Sequence, residues 1–304
     1  MLAALAGKAK RLIARRLNVP EPAPANLDLA NRVTALEAQL ALSERHHTNA
    51  FWSALDKIYD HVLIDRTLSC TVCGHSSKRE GYEVLTSKCI FGGGKLERYR
   101  CPACDCIFGA QKFLDQAEDM LGLDYQLLYS RYREGNTTSN EIRTFNSLAP
   151  RQGNAYVNWG CGVWNTTVDR LRAEGSDVWG YEPSASVASS FVATQKENLP
   201  TPIAGIFSNN VIEHFVDPVA QFEEFNSILP VGGRMAHSSP CYEYRYAFTR
   251  FHTIFLLGRS PEMLAARTGF KVVEKIIDGE YTNVIFEKLD SSRLPRGACC
   301  YSNN

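Results

Sequence analysis

Apolar residues between Leu27 and about Asp65 recur at helical spacing. Leu29, Val33, Leu36 and Leu40 step by four, three and four, and Phe51, Leu55, Ile58 and Val62 repeat that step. Such spacing puts an apolar stripe along one side of a helix. An eleven-residue jump between the two sets breaks a strict heptad. The stripe therefore suits a self-associating coiled coil, or an ordinary helix packed on its own domain. Residues 66–110 change period, to short β-prone runs among cysteines and glycines. Residues 111–150 return to a helical pattern through Phe113, Leu114, Met120, Leu121, Leu127 and Leu128.

From Ala155 onward the two periods alternate. YVNWG predicts a strand, Thr166 to Glu174 a helix, DVWGYE a strand and Ser186 to Gln195 a helix. GIFSNN predicts a strand, Pro218 to Ile228 a helix, GGRMAHSS a strand and Pro261 to Thr268 a helix. KVVEKIID and NVIFEKL then predict two more strands. The order implies an α/β, Rossmann-like, mostly parallel sheet with helices on both faces. A helical segment and a small zinc-ribbon-like module precede it.

The pattern divides the chain into a basic tail and Pro/Ala linker (1–26), a long helix (27–65), a cysteine module (66–110), a helical connector (111–150), the α/β domain (151–290) and a loose tail (291–304). The first eighteen residues carry five cationic side chains and no acid, and residues 2–17 can form an amphipathic face for anionic lipid. Lys8, Lys10 and Arg11 interrupt the first apolar run, so it does not read as a secretory signal. No run approaches the length of apolar sequence that spans a bilayer. The expectation is a cytoplasmic protein, held at the cytoplasmic face of a membrane if residues 2–17 engage lipid. Lys+Arg and Asp+Glu are both 33, so charge offers no support for a nucleic-acid partner.

Ten cysteines are many for 304 residues. Cys70 and Cys73 form one CxxC pair, Cys101 and Cys104 another, with 27 residues between the pairs. Two such hairpins can present four thiolates to one tetrahedral zinc, and a closed four-thiolate site is structural, not catalytic. Cys89, Cys106 and His75 lie near enough in sequence to replace a ligand.

Gly160 and Gly162 stand where the first strand of the α/β domain should end. Without a Cβ they let backbone approach a cofactor closely. Glu182 follows Gly160 by 22 residues, at the end of the next strand, a spacing that suits a carboxylate on ribose hydroxyls. Asn209 and Asn210 end the next central strand, and VIEHFVDP and LPVGG follow. Together with FHTIFLLGRSPEMLAARTGFKVVE, these blocks resemble the class I S-adenosylmethionine-dependent methyltransferases over residues 150 to 285, about half the chain. The cysteine module ahead of them is similar to that of methyltransferases acting on sugars.

The resemblance implies S-adenosylmethionine as cofactor, with Gly160 and Gly162 against its methionine part and Glu182 on its ribose. Asn209 or Asn210 would line the pocket, and Tyr129 and Tyr132 would cover it. Three positions depart from the family pattern. Asn158 stands where an acid is usual, Trp164 where a third small residue is usual, and Glu182 to Ile206 is short, without a clear third strand. Transfer to an oxygen needs a base, and His237, His252 and His214 are the candidates. YEYRYAFTRF interleaves aromatics with Arg245 and Arg250, a wall for a sugar or a phosphate-bearing acceptor. The leading expectation is methyl transfer to an oxygen of a sugar, glycan or other small molecule. The competing ones are tRNA or protein methylation, and a non-catalytic scaffold with a degenerate site.

Overall fold

A computed structural model describes residues 24–130, 132, 135–163, 166–185 and 190–290. The basic segment 2–17, Trp164 and the tail 291–304 lie outside the described residues. The chain divides into two units, Met1–Phe51 and Trp52–Asn304. Helix α1 (Pro24–Asp65) runs through the division, and Pro24 occupies its first turn, where a missing N–H costs nothing. In the first unit Leu29, Val33, Leu36 and Leu40 are all exposed. In the second, Trp52 and Leu63 are buried, with Trp52 against Phe113. No helix among the described residues is long and apolar enough to cross a membrane.

The cysteine module holds a hairpin of β1 (Thr67–Ser69) and β2 (Ser76–Lys78), then β3 (Glu83–Lys88), β4 (Lys95–Arg100) and β5 (Ile107–Gly109). It is not a free-standing domain. The sheet β3-β4-β5 is completed by β11 (Ile254–Phe255) from the α/β region, with Ile254 opposite Phe108. The helices α2 (Gln111–Leu114), α3 (Glu118–Tyr129) and α4 (Thr138–Ser147) make the connector.

The main sheet comprises β6 (Ala155–Trp159), β7 (Asp177–Tyr181), β8 (Val192–Ala193), β9 (Ile203–Asn209), β10 (Arg234–Ser238), β12 (Phe270–Asp278) and β13 (Tyr281–Lys288). Its order is β12-β13-β10-β9-β6-β7-β8. The pairs from β10 through β8 are parallel, and β13 is antiparallel to both β10 and β12. The chain steps outward from β6 to β7 and β8, then returns to place β9 on the other side of β6. That reversal leaves a crevice beyond the carboxyl ends of β6 and β9.

Alternation along each strand sorts the two faces. Tyr156, Val178, Phe207, Ala236 and Ile285 pack with Phe145 of α4, with Leu148 just after it, and with Val168 and Leu171 of α5 (Thr167–Ala173). Val157, Ile206, Met235, Val284 and Phe286 pack with Phe222 and Phe225 of α6 (Pro218–Ile228) and Leu264 of α7 (Ser260–Arg267).

Two expectations are corrected. The segment predicted as a helix from Ser186 to Gln195 is extended in its described part, where Val192–Ala193 forms β8 beside Gly180 and Tyr181. Phe191 pulls this segment onto the sheet edge, with its ring on Trp179 and under the Arg172 guanidinium, 3.6 Å from the ring centre. Gly180 leaves room for the approach: a Cβ there would lie 2.6 Å from Cys161 Sγ and 3.0 Å from Val192 Cγ2.

The second correction concerns His237. It is fully buried between β10 and α6, its ring stacked on Phe225, with Nδ1 2.8 Å from Ser208 Oγ. A side chain in the sheet core cannot meet an acceptor, so His237 is not placed to act as the base. Burial pushes its pKa down to about 3. Between that value and the ordinary one near 6.5 the unfolded chain binds the proton and the folded one does not, so stability falls as pH drops below about 6.5. From pH 7.5 to pH 5, urea unfolding of the wild type should lose up to about 2 kcal/mol more than His237→Gln, which keeps a polar group but does not titrate.

Candidate functional site

The first side of the crevice is the turn after β6. Gly160 and Gly162 have φ of 67° and 71°, in the left-handed region. At Gly160 a Cβ would come within 2.8 Å of Val211 Cγ2, because the turns after β6 and β9 abut there. At Gly162 a Cβ would meet nothing within 4 Å, so the backbone faces open space. Gly160 and Cys161 donate their N–H groups to the carbonyl of Tyr181 at 2.8 and 3.2 Å. Glu182 then reaches over the turn. Its Oε2 accepts from the Gly162 N–H at 2.9 Å, and its Oε1 accepts from the Ser184 N–H and hydroxyl. The predicted glycine–carboxylate pair is thus brought together.

A polar layer from α4 runs along the same edge. Thr144 Oγ1 donates to Ser238 Oγ at 2.8 Å, and Ser238 Oγ donates to Asn209 Oδ1 at 2.7 Å. The Nδ2 of Asn209 is buried with no partner among the described residues, so a hydrogen-bond donor is left at the crevice. Asn210 sits at φ 57° and donates its N–H to the Ser238 carbonyl. Three residues earlier on α4, Glu141 is buried at 4 % exposure and accepts from Asn158 Nδ2 at 2.8 Å. Periodicity could not single out Glu141, because an acid at that helical position reads equally well as a solvated face.

The other side of the crevice is built from the turn Ile212–His214 after β9 and from the segment after β10. His214 Nδ1 lies 3.0 Å from the Phe251 carbonyl and 3.1 Å from Tyr125 Oη, and burial pushes its pKa down to about 4. His252 is half-buried, its ring 5.1 Å from that of His214 and its Nδ1 3.5 Å from Cys241 Sγ. Glu213, Cys241 and His252 bring a carboxylate, a thiol and an imidazole within 4.8 Å of one another. The same donor types could hold a metal ion. The buried guanidinium of Arg98, which acts on both Cys241 and His252, opposes a dication there. A cavity of about 350 Å³ opens beside His214, lined by Phe215, Asp217, Gln221 and Glu224.

Tyr132 sets its ring against Phe91 of the cysteine module, 5.5 Å between centres. Tyr129 stacks on Tyr125, and it is Tyr125, four residues earlier, that meets His214 and Phe251. The two arginines expected to grip an acceptor are already paired. Arg250 is buried in a bidentate ion pair with Asp124, at 2.6 and 2.5 Å, and Arg245 pairs with Glu243 at 2.6 Å.

The four predicted cysteines converge. Cys70, Cys73, Cys101 and Cys104 bring their sulfurs within 4.8 Å of one another, with Cys70–Cys104 at 3.7 Å and Cys73–Cys101 at 3.5 Å. Zinc–sulfur bonds of about 2.3 Å at tetrahedral angles give edges of about 3.8 Å, so the spacing fits a metal of that size. The two knuckles repeat one geometry. Gly74 and Asp105 both take positive φ and donate to the carbonyls of Cys70 and Cys101 at 2.9 Å. Burial pushes the Cys101 thiol up to about 12, while hydrogen bonds from Cys104, Cys106 and Cys73 hold Cys70 well below its usual range. Cys106, Cys89 and His75 are not part of the quartet.

The chain matches none of the curated proteins. Solved structures with a likeness include the Burkholderia thailandensis 1,6-didemethyltoxoflavin-N1-methyltransferase with bound 1,6-didemethyltoxoflavin and S-adenosylhomocysteine, at 13% identity and a TM-score of 0.45, over 64% of this chain and 96% of that one. They also include S-adenosylmethionine-dependent methyltransferases of Mesorhizobium loti (15%, TM-score 0.36, 51% of this chain and all of that one) and Clostridium acetobutylicum (10%, TM-score 0.39, 57% and 98%). Residues 129–275 match the family described as a methyltransferase domain. That span, just under half of the chain, starts at the end of α3 and takes in the glycine turn, Glu182, the β9 edge and α7, so this part of the chain is similar to methyltransferase domains.

Proposed function

We propose that the chain transfers the methyl group of S-adenosylmethionine to an oxygen of a sugar, glycan or other small molecule, and that Cys70, Cys73, Cys101 and Cys104 hold a structural zinc. When bound, the cofactor supplies an electrophilic methyl on a sulfonium. The protein's part is to align an acceptor and take up its proton. His252 carries the reading of an oxygen acceptor: an imidazole next to Cys241, in the segment after β10, and partly exposed where His237 is not. Burial, His214 and Arg98 hold its pKa far below the usual range, so it stands neutral at physiological pH but is a weak base until an acceptor and its developing charge are beside it. His214 is tied to the Phe251 carbonyl and to the backbone of Asn210, which favours a positioning role. The balance of 33 cationic and 33 anionic side chains weighs against a nucleic-acid acceptor.

Calorimetry should show S-adenosylmethionine binding to the wild type and, within about twofold, to His252→Gln. Methyl transfer to a panel of glycosides and nucleotide-linked sugars should fall by about 10²- to 10⁴-fold in that variant. A protein that binds no cofactor at millimolar concentration has a degenerate site, and one that methylates only tRNA or protein refutes the acceptor class.

The zinc reading has its own test. Elemental analysis should find about one zinc per chain, lost in Cys101→Ser. The module shares β11 with the α/β region, and Arg267 and Arg259 of that region donate to the knuckle carbonyls of Val72 and Ala103. Removing the metal should therefore lower the midpoint of the whole second unit, by ~10 °C, rather than melt the module alone. Zinc-free protein with an unchanged melt would overturn the assignment.

A further inference from the structure

We propose that α1, over residues 29–50, pairs with the same segment of a second copy of this chain as a parallel, two-stranded coiled coil. The surface lies in the first unit and uses no residue of the methyltransferase reading. Every side chain of α1 from Asp28 to Leu40 is exposed. Leu29, Val33, Leu36 and Leu40 are between 45 % and 63 % exposed. A helix in water is held chiefly by burying an amphipathic face, so a bare apolar stripe of this kind calls for a partner.

The order of residues along the stripe says what that partner is. Leu29 and Leu36 take position d of a heptad, and Val33 and Leu40 take position a. Ser43, His47 and Ala50 continue the register to three heptads, with the large apolar residues in its first half. Leu at d beside a β-branched residue at a favours two strands over three or four. A stripe that repeats at coiled-coil spacing is complementary to its own copy, each a and d side chain entering a hole on the facing helix.

Charge fixes the direction. Arg32 takes position g, and Glu37 takes position e of the next heptad. Both are exposed, with no ion pair of their own among the described residues. In a parallel pair, g of one helix faces that e of the other. Arg32 of each copy then meets Glu37 of the other copy, twice over by the two-fold symmetry. An antiparallel pair would set row g against row g and row e against row e. Row g holds Arg32, Gln39 and His46, with no acid, and row e holds Ala30, Glu37, Glu44 and Phe51, with no cation. Only the parallel pair gives Arg32 an acid to face.

Light scattering on the full chain, over about a hundredfold range of concentration, should show a dimer that dissociates on dilution. Leu36→Glu removes one apolar side chain from each half of the seam and should weaken the dimer by at least about a hundredfold. The main thermal melt of that variant should stay unchanged, which reports folding. Arg32→Glu should weaken the dimer by about three- to tenfold, and adding Glu37→Arg should restore it. Leu29→Cys, at the start of the stripe, should form an interchain disulfide under mild oxidation beyond any seen in the wild type. A parallel, in-register pair brings the two copies of that residue together, and an antiparallel pair holds them at opposite ends. A monomer at every concentration, the stripe then being covered by the chain's own second unit or by a membrane, overturns the proposal. A dimer that survives Leu36→Glu overturns it too, as does a dimer in which the Leu29→Cys copies do not join. None of these readouts involves methyl transfer, so they leave the methyltransferase reading untouched.

Discussion

The guanidinium of Arg98 is the interaction on which the geometry of the site depends. It comes from β4 of the cysteine module and is fully buried. It donates to the carbonyls of Ala247 at 2.7 Å, Thr249 at 2.6 Å and His252 at 3.0 Å. These carbonyls belong to the irregular segment between β10 and β11, which has no ladder of its own to satisfy them. Burying a cation is costly, and burial pulls the Arg98 pKa down. Three carbonyl dipoles offset that cost and fix the segment in one shape. The segment carries His252 and Phe251, so the cysteine module fixes the position of the proposed base.

This dependence explains why the module is fused to the sheet instead of tethered beside it. β11 adds to β5, Arg259 and Arg267 reach the knuckle carbonyls, and Arg250 bridges Asp124 to the carbonyl of Phe91. Each contact joins residues that are far apart in sequence. The cofactor side is more local. Gly160, Gly162 and Glu182 meet through two successive strands and the turns that follow them. A sequence pattern is strong where contacts are local and weak where they are assembled at long range, and the two sides of the site divide along that line.

Particular residues make the division concrete. The CxxC pairs and the glycine turn were legible because each encodes a backbone geometry at fixed spacing. The strand β8 was not. A helical reading of Ser186 to Gln195 counts apolar positions, whereas the Phe191 ring finds its place only once Trp179 and Arg172 stand beside it. His237 was misplaced for a related reason. Position at the end of a strand fixes its height along the sheet, but which face it takes depends on register, and one residue's difference turns a side chain from one face to the other. Tyr125 and Glu141 gave no signal at all, since a helix spreads its side chains around a circle and only the packing of α3 and α4 shows which of them turn inward.

By itself, the sequence determined the α/β alternation, the four thiols that can share one metal, and the glycine–carboxylate edge. Each follows from period, spacing or the absence of a Cβ, and each is decided within a few tens of residues. The tertiary structure alone decided that His237 is buried in the sheet core, that Arg245 and Arg250 are already paired, and that a buried carboxylate from α4 accepts from Asn158. Those outcomes turn on burial and on pairing between distant segments, and a buried charge is acceptable only where the folded chain has already brought its partners to it.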